Sequence, residues 1–345
     1  LSQFVKVAGY PLAAEQRIYW LYIATSVLVA YFVYRAVKRR GDHATERDRE
    51  AANGSFLQFL FPKSVWSHPS AWLDVRYFFF HRVVSFFLLV GLGGAATAAA
   101  YHLVSGGHFF ELLRTKLVWT QWEDWVIALG FMVITMLILD FTNWFAHFLQ
   151  HKVPFLWQFH KVHHSAEVMH PLSNYREHPV DNVFYIVITG ATFGALCGVT
   201  YNLFGYAPTA PSVLGVPLLM FLFNIAGYNL RHSHVWLRWP GRWSKVFPSP
   251  AHHHVHHSCH PDHIDKNFAF MFPVWDVIFG TYEMPEDNRD VKFGVPEDEG
   301  RDLDSVLRLY WVPFRDAYRL FVPKADATPP ASVDEEEPPR QVPAE

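Results

Sequence analysis

Five stretches of the chain are apolar over lengths that predict membrane-spanning helices. A bilayer core of about 30 Å calls for roughly 20 apolar residues in helical form. Residues 18–37 (IYWLYIATSVLVAYFVYRAV) meet this and run directly into Lys38, Arg39 and Arg40. Residues 83–104 form a second candidate, whose segment GLGGAATAAA reads as a helix-packing face. A phosphate-binding loop would need a preceding strand and a following Lys-Ser/Thr, and this segment has neither. Residues 125–146 are the third, with the unbroken run VIALGFMVITMLIL. Residues 182–204 and 212–229 are the fourth and fifth, joined by a short loop holding Gly205, Pro208 and Pro211. They predict a full hairpin or a re-entrant excursion.

The polar segments orient this set. Between residues 38 and 82 lie Lys38, Arg39, Arg40, Arg47, Arg49, Lys63, Arg76 and Arg82, which the positive-inside rule places in the cytoplasm. Counting spans from there returns the chain to the same side at His147 and again near Arg231. Beyond Met284 the sequence turns polar, and the Pro-rich acidic tail from Lys324 lacks the apolar residues to build a core. The expected organisation is an N-terminal segment with the first span (1–40), a membrane domain (41–284) and a polar C-terminal extension (285–345), disordered after about residue 324.

Composition agrees with a membrane protein. Hydrophobic residues make up 51% and charged residues only 18%, against about a quarter charged in soluble domains. A net charge of −3 gives no reason to expect a nucleic-acid partner. Of the two cysteines, Cys197 lies in an apolar run and Cys259 in a histidine-rich loop, which argues against a disulfide framework. No signal-peptide pattern is read.

The chemistry is carried by histidine. Sixteen of the 21 histidines fall between His147 and His263, all on the face predicted to be cytoplasmic. HFLQH sets His147 and His151 at i and i+4, one above the other on a helix. After Pro154, FHKVHH presents His160, His163 and His164 at i, i+3 and i+4, and AHHHVHHS repeats that arrangement with His253, His256 and His257. Imidazole suits zinc, copper, iron and nickel, whereas calcium and magnesium want oxygen. Eight such nitrogens exceed one four-coordinate zinc and fit two metal ions. The boxes lack the carboxylates of the soluble di-iron bundles. One H-x3-H alone would be weak evidence; three spaced groups on one face are not. His178 in REHP and His232 in RHSH are further candidate ligands, and Asp140, two turns before His147, is placed to bond the far nitrogen of a ligating imidazole. His43, His68, His81, His102 and His108 read as isolated surface or interfacial residues.

HFLQH, HKVHH and HHVHH, followed in order by REHP, HSHV and DKNFAFMFPVWDVIFGTY, resemble the fatty acid hydroxylase/sterol desaturase superfamily of membrane di-iron oxygenases. The resemblance spans roughly residues 140–282. It implies an all-α integral membrane domain of four to five transmembrane or re-entrant helices, with a cytoplasmic histidine-rich cap holding two iron ions. By motif position it implies His147, His151, His160, His163, His164, His178, His232, His253, His256 and His257 as ligands. The sequence departs from the family at His234, where Asn is usual, and at His170, where an acidic or amide residue is common.

The implied activity is reductive activation of O2 and hydroxylation or desaturation of an unactivated C–H bond in a lipid such as a sterol or fatty acyl chain. Trp144, Phe148, Trp157 and Phe159 either line the lipid's entry or simply pack. No haem-binding, flavin-binding or iron–sulfur pattern is present in the sequence, so an external electron donor, a separate cytoplasmic protein, is expected. Arg231, Arg238, Arg242 and Lys245 either help dock it or anchor the chain at the membrane. The competing class, a membrane zinc transporter or sensor, calls for ionisable residues within the spans, and the first, second and fourth offer almost none. The chain ends without an endoplasmic-reticulum retrieval signal, so a bacterial inner membrane is the expected location.

Overall fold

In the computed structural model of the protein, residues 9–40, 53–89, 91–112, 122–286 and 291–322 are described. The main helices in chain order are α1 (Trp20–Arg40), α2 (Pro69–Leu89), α3 (Leu92–Ser105), α4 (Trp122–Lys152), α5 (Pro154–His164), α6 (Pro179–Phe204), α7 (Leu218–Ile225), α8 (Pro250–His256), α9 (Val274–Phe279) and α10 (Val306–Arg319). The only named strands among the described residues are β1 (Ser212–Val213) and β2 (Val216–Pro217), a two-stranded antiparallel hairpin. Three helices are long and apolar enough to cross a membrane: α1, α4 over Asp124–Lys152, and α6. The protein is therefore an integral membrane protein of helical architecture.

Two of the five expected spans have a different structure. Residues 83–104 straddle the end of α2 and most of α3. Gly91 lies between the helices in the left-handed region at φ 91°, which breaks the helix that hydropathy alone joins. Residues 212–229 open with the β-hairpin, whose turn takes Leu214 and Gly215 to φ 51° and 80°. The eight-residue α7 that follows is about 12 Å long, too short for the bilayer core.

The small-residue run does serve packing. Gly190, Gly194 and Gly198 recur every fourth residue on α6 and lie against α3. A Cβ at Gly194 would stand 2.1 Å from the Thr97 carbonyl oxygen, and one at Gly93 would stand 2.8 Å from Ile186 Cγ2. Close approach of helix backbones through small residues is how apolar helices associate in lipid.

The 31 residues of α4 extend about 46 Å, so its last turns carry His147 and His151 into the cap. Val153, extended at φ −95° and ψ 112°, and Pro154 in the first turn of α5 reverse the chain, bringing the next histidines back over α4. The C-terminal extension carries α10, whose Leu309 and Val312 form a core with Leu73, Tyr77, Val162 and Leu303. Lys161 on α5 pairs with Asp316 on α10 at 2.8 Å. The tail expected to be disordered, from Lys324, lies outside the described residues.

Candidate metal centre

Helices α4, α5 and α8, with the turn at His232, converge on two groups of buried imidazoles. His147, His151, His160, His164 and His256 form one; His163, His232, His253 and His257 form the other. Within each, one nitrogen per ring lies within 4.8 Å of all the others. The i, i+3, i+4 spacing on α5 divides the box: His160 and His164 turn to the five-imidazole group and His163 to the four. Adjacent His256 and His257 divide in the same way. The groups share a wall, with the rings of His164 and His257 stacked 4.4 Å apart.

The outward nitrogens show which proton each ring carries. His147 Nδ1 faces the Phe268 carbonyl at 2.9 Å, and His256 Nδ1 the Lys266 carbonyl at 2.8 Å. His163 Nδ1 faces the Arg176 carbonyl at 3.3 Å. A carbonyl only accepts, so each of these Nδ1 atoms carries hydrogen and each Nε2 presents a lone pair. His160 Nδ1 lies 3.1 Å from the Asp181 carboxylate and His151 Nδ1 3.3 Å from that of Asp265. Burial, reinforced by neighbouring imidazoles, holds His160, His164, His256 and His257 well below the ordinary histidine pKa. These rings are neutral at physiological pH.

The inward nitrogens are then too close for neutral partners. His147 Nε2 and His160 Nε2, both lone pairs, are 3.1 Å apart, and His151 Nε2 is 3.1 Å from His164 Nε2. His256 Nε2 is buried with no hydrogen-bond partner among the described residues. Lone pairs held face to face repel unless a cation lies among them. Nitrogens about 3 Å apart subtend roughly a right angle at an ion with bonds of about 2.1 Å. The donor set therefore fits two nitrogen-preferring transition-metal ions, and five imidazoles in one group exceed the usual four-coordinate zinc.

His253 differs. Arg231 Nη2 donates to its Nδ1 at 3.0 Å, and guanidinium has no acceptor. The neutral ring therefore carries its hydrogen on Nε2, which lies 2.8 Å from His232 Nε2 and 3.0 Å from His257 Nε2. Arg231 also donates to the Phe270 carbonyl at 2.6 Å and lies over the Tyr228 and Phe270 rings. It is buried, which removes it from the residues available to dock an electron donor. Arg242 and Lys245 lie against Trp243 and Tyr282.

Of the ten histidines taken as ligands from the sequence, nine come together and His178 stands apart. Its Nδ1 accepts from the Val180 amide at the start of α6 and its Nε2 faces the Tyr310 carbonyl, so both nitrogens are used in joining α6 to α10. Asp140 does not reach an imidazole. It accepts from the Met271 and Phe272 amides and from Trp275 Nε1, at 2.8 to 3.0 Å. His170 bonds Asp74 at 2.9 Å and His234 the Phe59 carbonyl at 2.6 Å, outside both groups. Trp144 and Phe159 are buried packing residues, and Trp157 donates to Glu299.

The residues that hold the rings were harder to see in the sequence. Asp181 lies three residues after His178 in REHPVD, and Gln150 donates to it. Asp265 and Asn267 take φ of 60° and 57°, a region Asp and Asn tolerate better than most residues. Asn267 bonds the Glu283 backbone in both directions, at 2.8 and 2.9 Å. Asp276 gathers the Phe268 and Ala269 amides, Trp144 Nε1 and the Thr281 hydroxyl. These bonds and those of Asp140 fix the loop that presents the Lys266 and Phe268 carbonyls to His256 and His147.

A cavity of about 460 Å³ lies beside α4 in the apolar layer, lined by Phe131, Met132, Met136, Phe193, Met220 and Phe270 among others. Thr135, Asp140 and Asn143 are its polar members on α4, and Asn143 is one helical turn before His147. Its volume falls within the range of small-molecule sites, about 300–1,000 Å³.

Comparison with known proteins gives the class. Residues 132–281 match the family model for fatty acid hydroxylase. The match takes in all three histidine boxes, and the resemblance they carry is borne out. An alkylglycerol monooxygenase of Danio rerio is 28% identical over 211 residues, covering 59% of this chain and 39% of that protein. The human alkylglycerol monooxygenase is 31% identical over 161 residues, 46% of this chain and 31% of that protein. An ornithine lipid hydroxylase of Rhizobium tropici is 27% identical over 179 residues, 50% of this chain and 48% of that protein. The chain thus spans less than half the length of each of these relatives. No solved structure matches it.

Proposed function

We propose that the protein is an O2-dependent membrane lipid hydroxylase. The observation that carries this reading is the pair of buried imidazole groups, five and four, whose ring nitrogens converge at the end of a membrane-crossing helix. The reading is supported by relatives named for monooxygenation or hydroxylation of alkylglycerol, ornithine lipid and sphinganine. His147, His151, His160, His164 and His256 hold one iron ion, and His163, His232, His253 and His257 the other. Two irons so held supply the O2 activation and C–H bond cleavage that no side chain can perform.

The chain's own residues bind, orient and exclude water. An alkyl chain lies in the cavity between Phe131, Met132, Met136 and Phe193, with its reacting carbon at the Asn143 end, next to His147. The Phe268–Met271 loop, held by Asp140 and Asp276, closes the apolar layer from the cap. Asp181 and Asp265 keep the far hydrogens of His160 and His151 in place, so that Nε2 of each ring faces the ion. Electrons come from a separate donor protein, and the cap faces the cytoplasm.

Lipid mass spectrometry of cells expressing the wild type or His160→Ala under labelled O2 tests the reading. The expected result is a lipid that gains one labelled oxygen only with the wild type. Loss of two hydrogens without label would assign desaturation instead. No lipid change, together with tightly bound zinc and no iron in anaerobically purified protein, would overturn the oxygenase reading.

A further inference from the structure

Helix α10 has two apolar faces, and one of them is largely exposed. Leu309, Val312, Pro313 and Ala317 are buried against the rest of the protein. Leu307, Trp311, Phe314 and Tyr318 fall within an arc of about 60° on another side, at 3.6 residues per turn. Leu307, Trp311 and Tyr318 are 71%, 68% and 70% exposed, and Phe321 in the following turn is 72% exposed. Of the four, Phe314 alone is in ring contact with Phe159 and His178. Arg308, Arg315 and Arg319 run along one edge of this stripe. A row of exposed aromatic and aliphatic side chains costs solubility without contributing to the core, so it marks a surface that something covers.

We propose that the lipid bilayer covers it: α10 is an interfacial anchor lying along the membrane surface, with this stripe in the boundary between headgroups and acyl chains. Three observations favour the membrane over another occupant. The Phe321 ring lies 6.2 Å from that of Phe155, itself exposed in the first turn of α5. On α2, Phe80 contacts Tyr310 of α10 at 5.2 Å, and the exposed Phe79, Phe80 and Val83 carry the apolar surface onward. The stripe is thus continuous at both ends with further exposed apolar side chains, Phe155 on one side and Phe79, Phe80 and Val83 on the other. The arginines along its edge are already paired, Arg308 with Asp304, Arg315 with Asp302 and Asp316, and Arg319 with Asp316. That edge has the amphipathic stems of headgroup-level residues and little net charge to attract an acidic protein.

The inference is tested on the full chain in phosphatidylcholine nanodiscs. Cysteines are placed by Trp311→Cys, Tyr318→Cys and Arg308→Cys, each with Cys259→Ser, and labelled with an environment-sensitive fluorophore. Cys197 is buried and serves as the labelling blank. An interfacial helix sits about 5–10 Å into the boundary, so lipid brominated high on its chains should quench labels at 311 and 318 about twofold, and the label at 308 far less. Leu307→Cys provides a second position on the stripe should either aromatic replacement fail to fold. Labels at 311 and 318 that are as open to aqueous iodide as the one at 308 would overturn the proposal. Shielding that persists in detergent and falls on dilution would assign the face to a second copy of the chain. Shielding lost on deleting residues 323–345 would assign it to the chain's own tail. Either result overturns the membrane assignment.

Discussion

Around the five-imidazole group, the nitrogens that face outward meet oxygen: the Phe268 and Lys266 carbonyls and the carboxylates of Asp181 and Asp265. Around the four-imidazole group they meet the Arg176 carbonyl, the Ser173 hydroxyl and, at His253, the Arg231 guanidinium. Two carboxyl groups thus stand behind one group and a guanidinium behind the other. A carboxylate behind an imidazole raises its basicity and steadies a bound cation, and a guanidinium does the reverse. The four-imidazole group also satisfies itself in part, because His253 Nε2 donates to His232 while the lone pairs of His147 and His160 only repel. A metal entering there must displace that proton. Two sites built from one residue type are therefore unequal, and the five-imidazole group is expected to bind its ion more tightly.

The largest effect expected from this asymmetry comes from two adjacent residues. His163→Ala leaves three imidazoles in its group, whereas His164→Ala leaves four in the other. His163→Ala should purify with one ion instead of two, and His164→Ala should retain most of both. Both should lose hydroxylation, since each disturbs the shared centre. Metal content by mass spectrometry, read beside activity, checks this. Equal metal loss in the two variants would remove the inequality.

Next in size is Asp181→Asn. Replacing the carboxylate by a neutral amide behind His160 should weaken the five-imidazole site about 10–100-fold. The four-imidazole site should keep its affinity. Stepwise chelation followed by Mössbauer spectroscopy separates the two: in the wild type the four-imidazole ion leaves first, and in Asp181→Asn the interval between the steps should shrink or reverse.

Eight of the nine converging rings were readable in the sequence because each belongs to a motif whose helical spacing is local, and the ninth, His232, was reached from its place in RHSH. His147 and His151 need only an intact turn of α4 to share a face, and His160, His163 and His164 only one of α5. The supports were not readable because they arise between segments far apart in the chain. Trp144 meets Asp276 across 132 residues, and Asp140 meets Met271 across 131. Asp140 was expected to bond an imidazole, but its carboxylate is taken up by the Met271 and Phe272 amides and Trp275 Nε1. His178 resembled a ligand by position, yet with Pro179 it begins α6 and turns into the α10 contact. Hydropathy failed for a related reason. It sums apolar residues without registering a single left-handed backbone, so Gly91 and the turn at Leu214 and Gly215 passed unseen within two expected spans.

The smallest expected effect is the one that separates charge from geometry, because it runs opposite to an ordinary loss of contact. Arg231→Gln removes the positive charge beside His253 and supplies an amide oxygen able to accept from Nδ1. The ring can then carry its hydrogen on Nδ1, as His147, His163 and His256 do, and present a lone pair at Nε2. Affinity for the second ion should therefore rise, by roughly tenfold or less. The same change gives up the guanidinium bonds to the Phe270 and Ala269 carbonyls, so thermal stability should fall by about 1–3 kcal/mol. Tighter metal binding in a less stable protein is not what general loosening of the cap produces. Arg231→Lys retains the charge without the planar fork and should show the instability alone. If both variants lose the second ion, Arg231 acts through loop geometry, and the charge difference between the two imidazole groups does not govern their affinity.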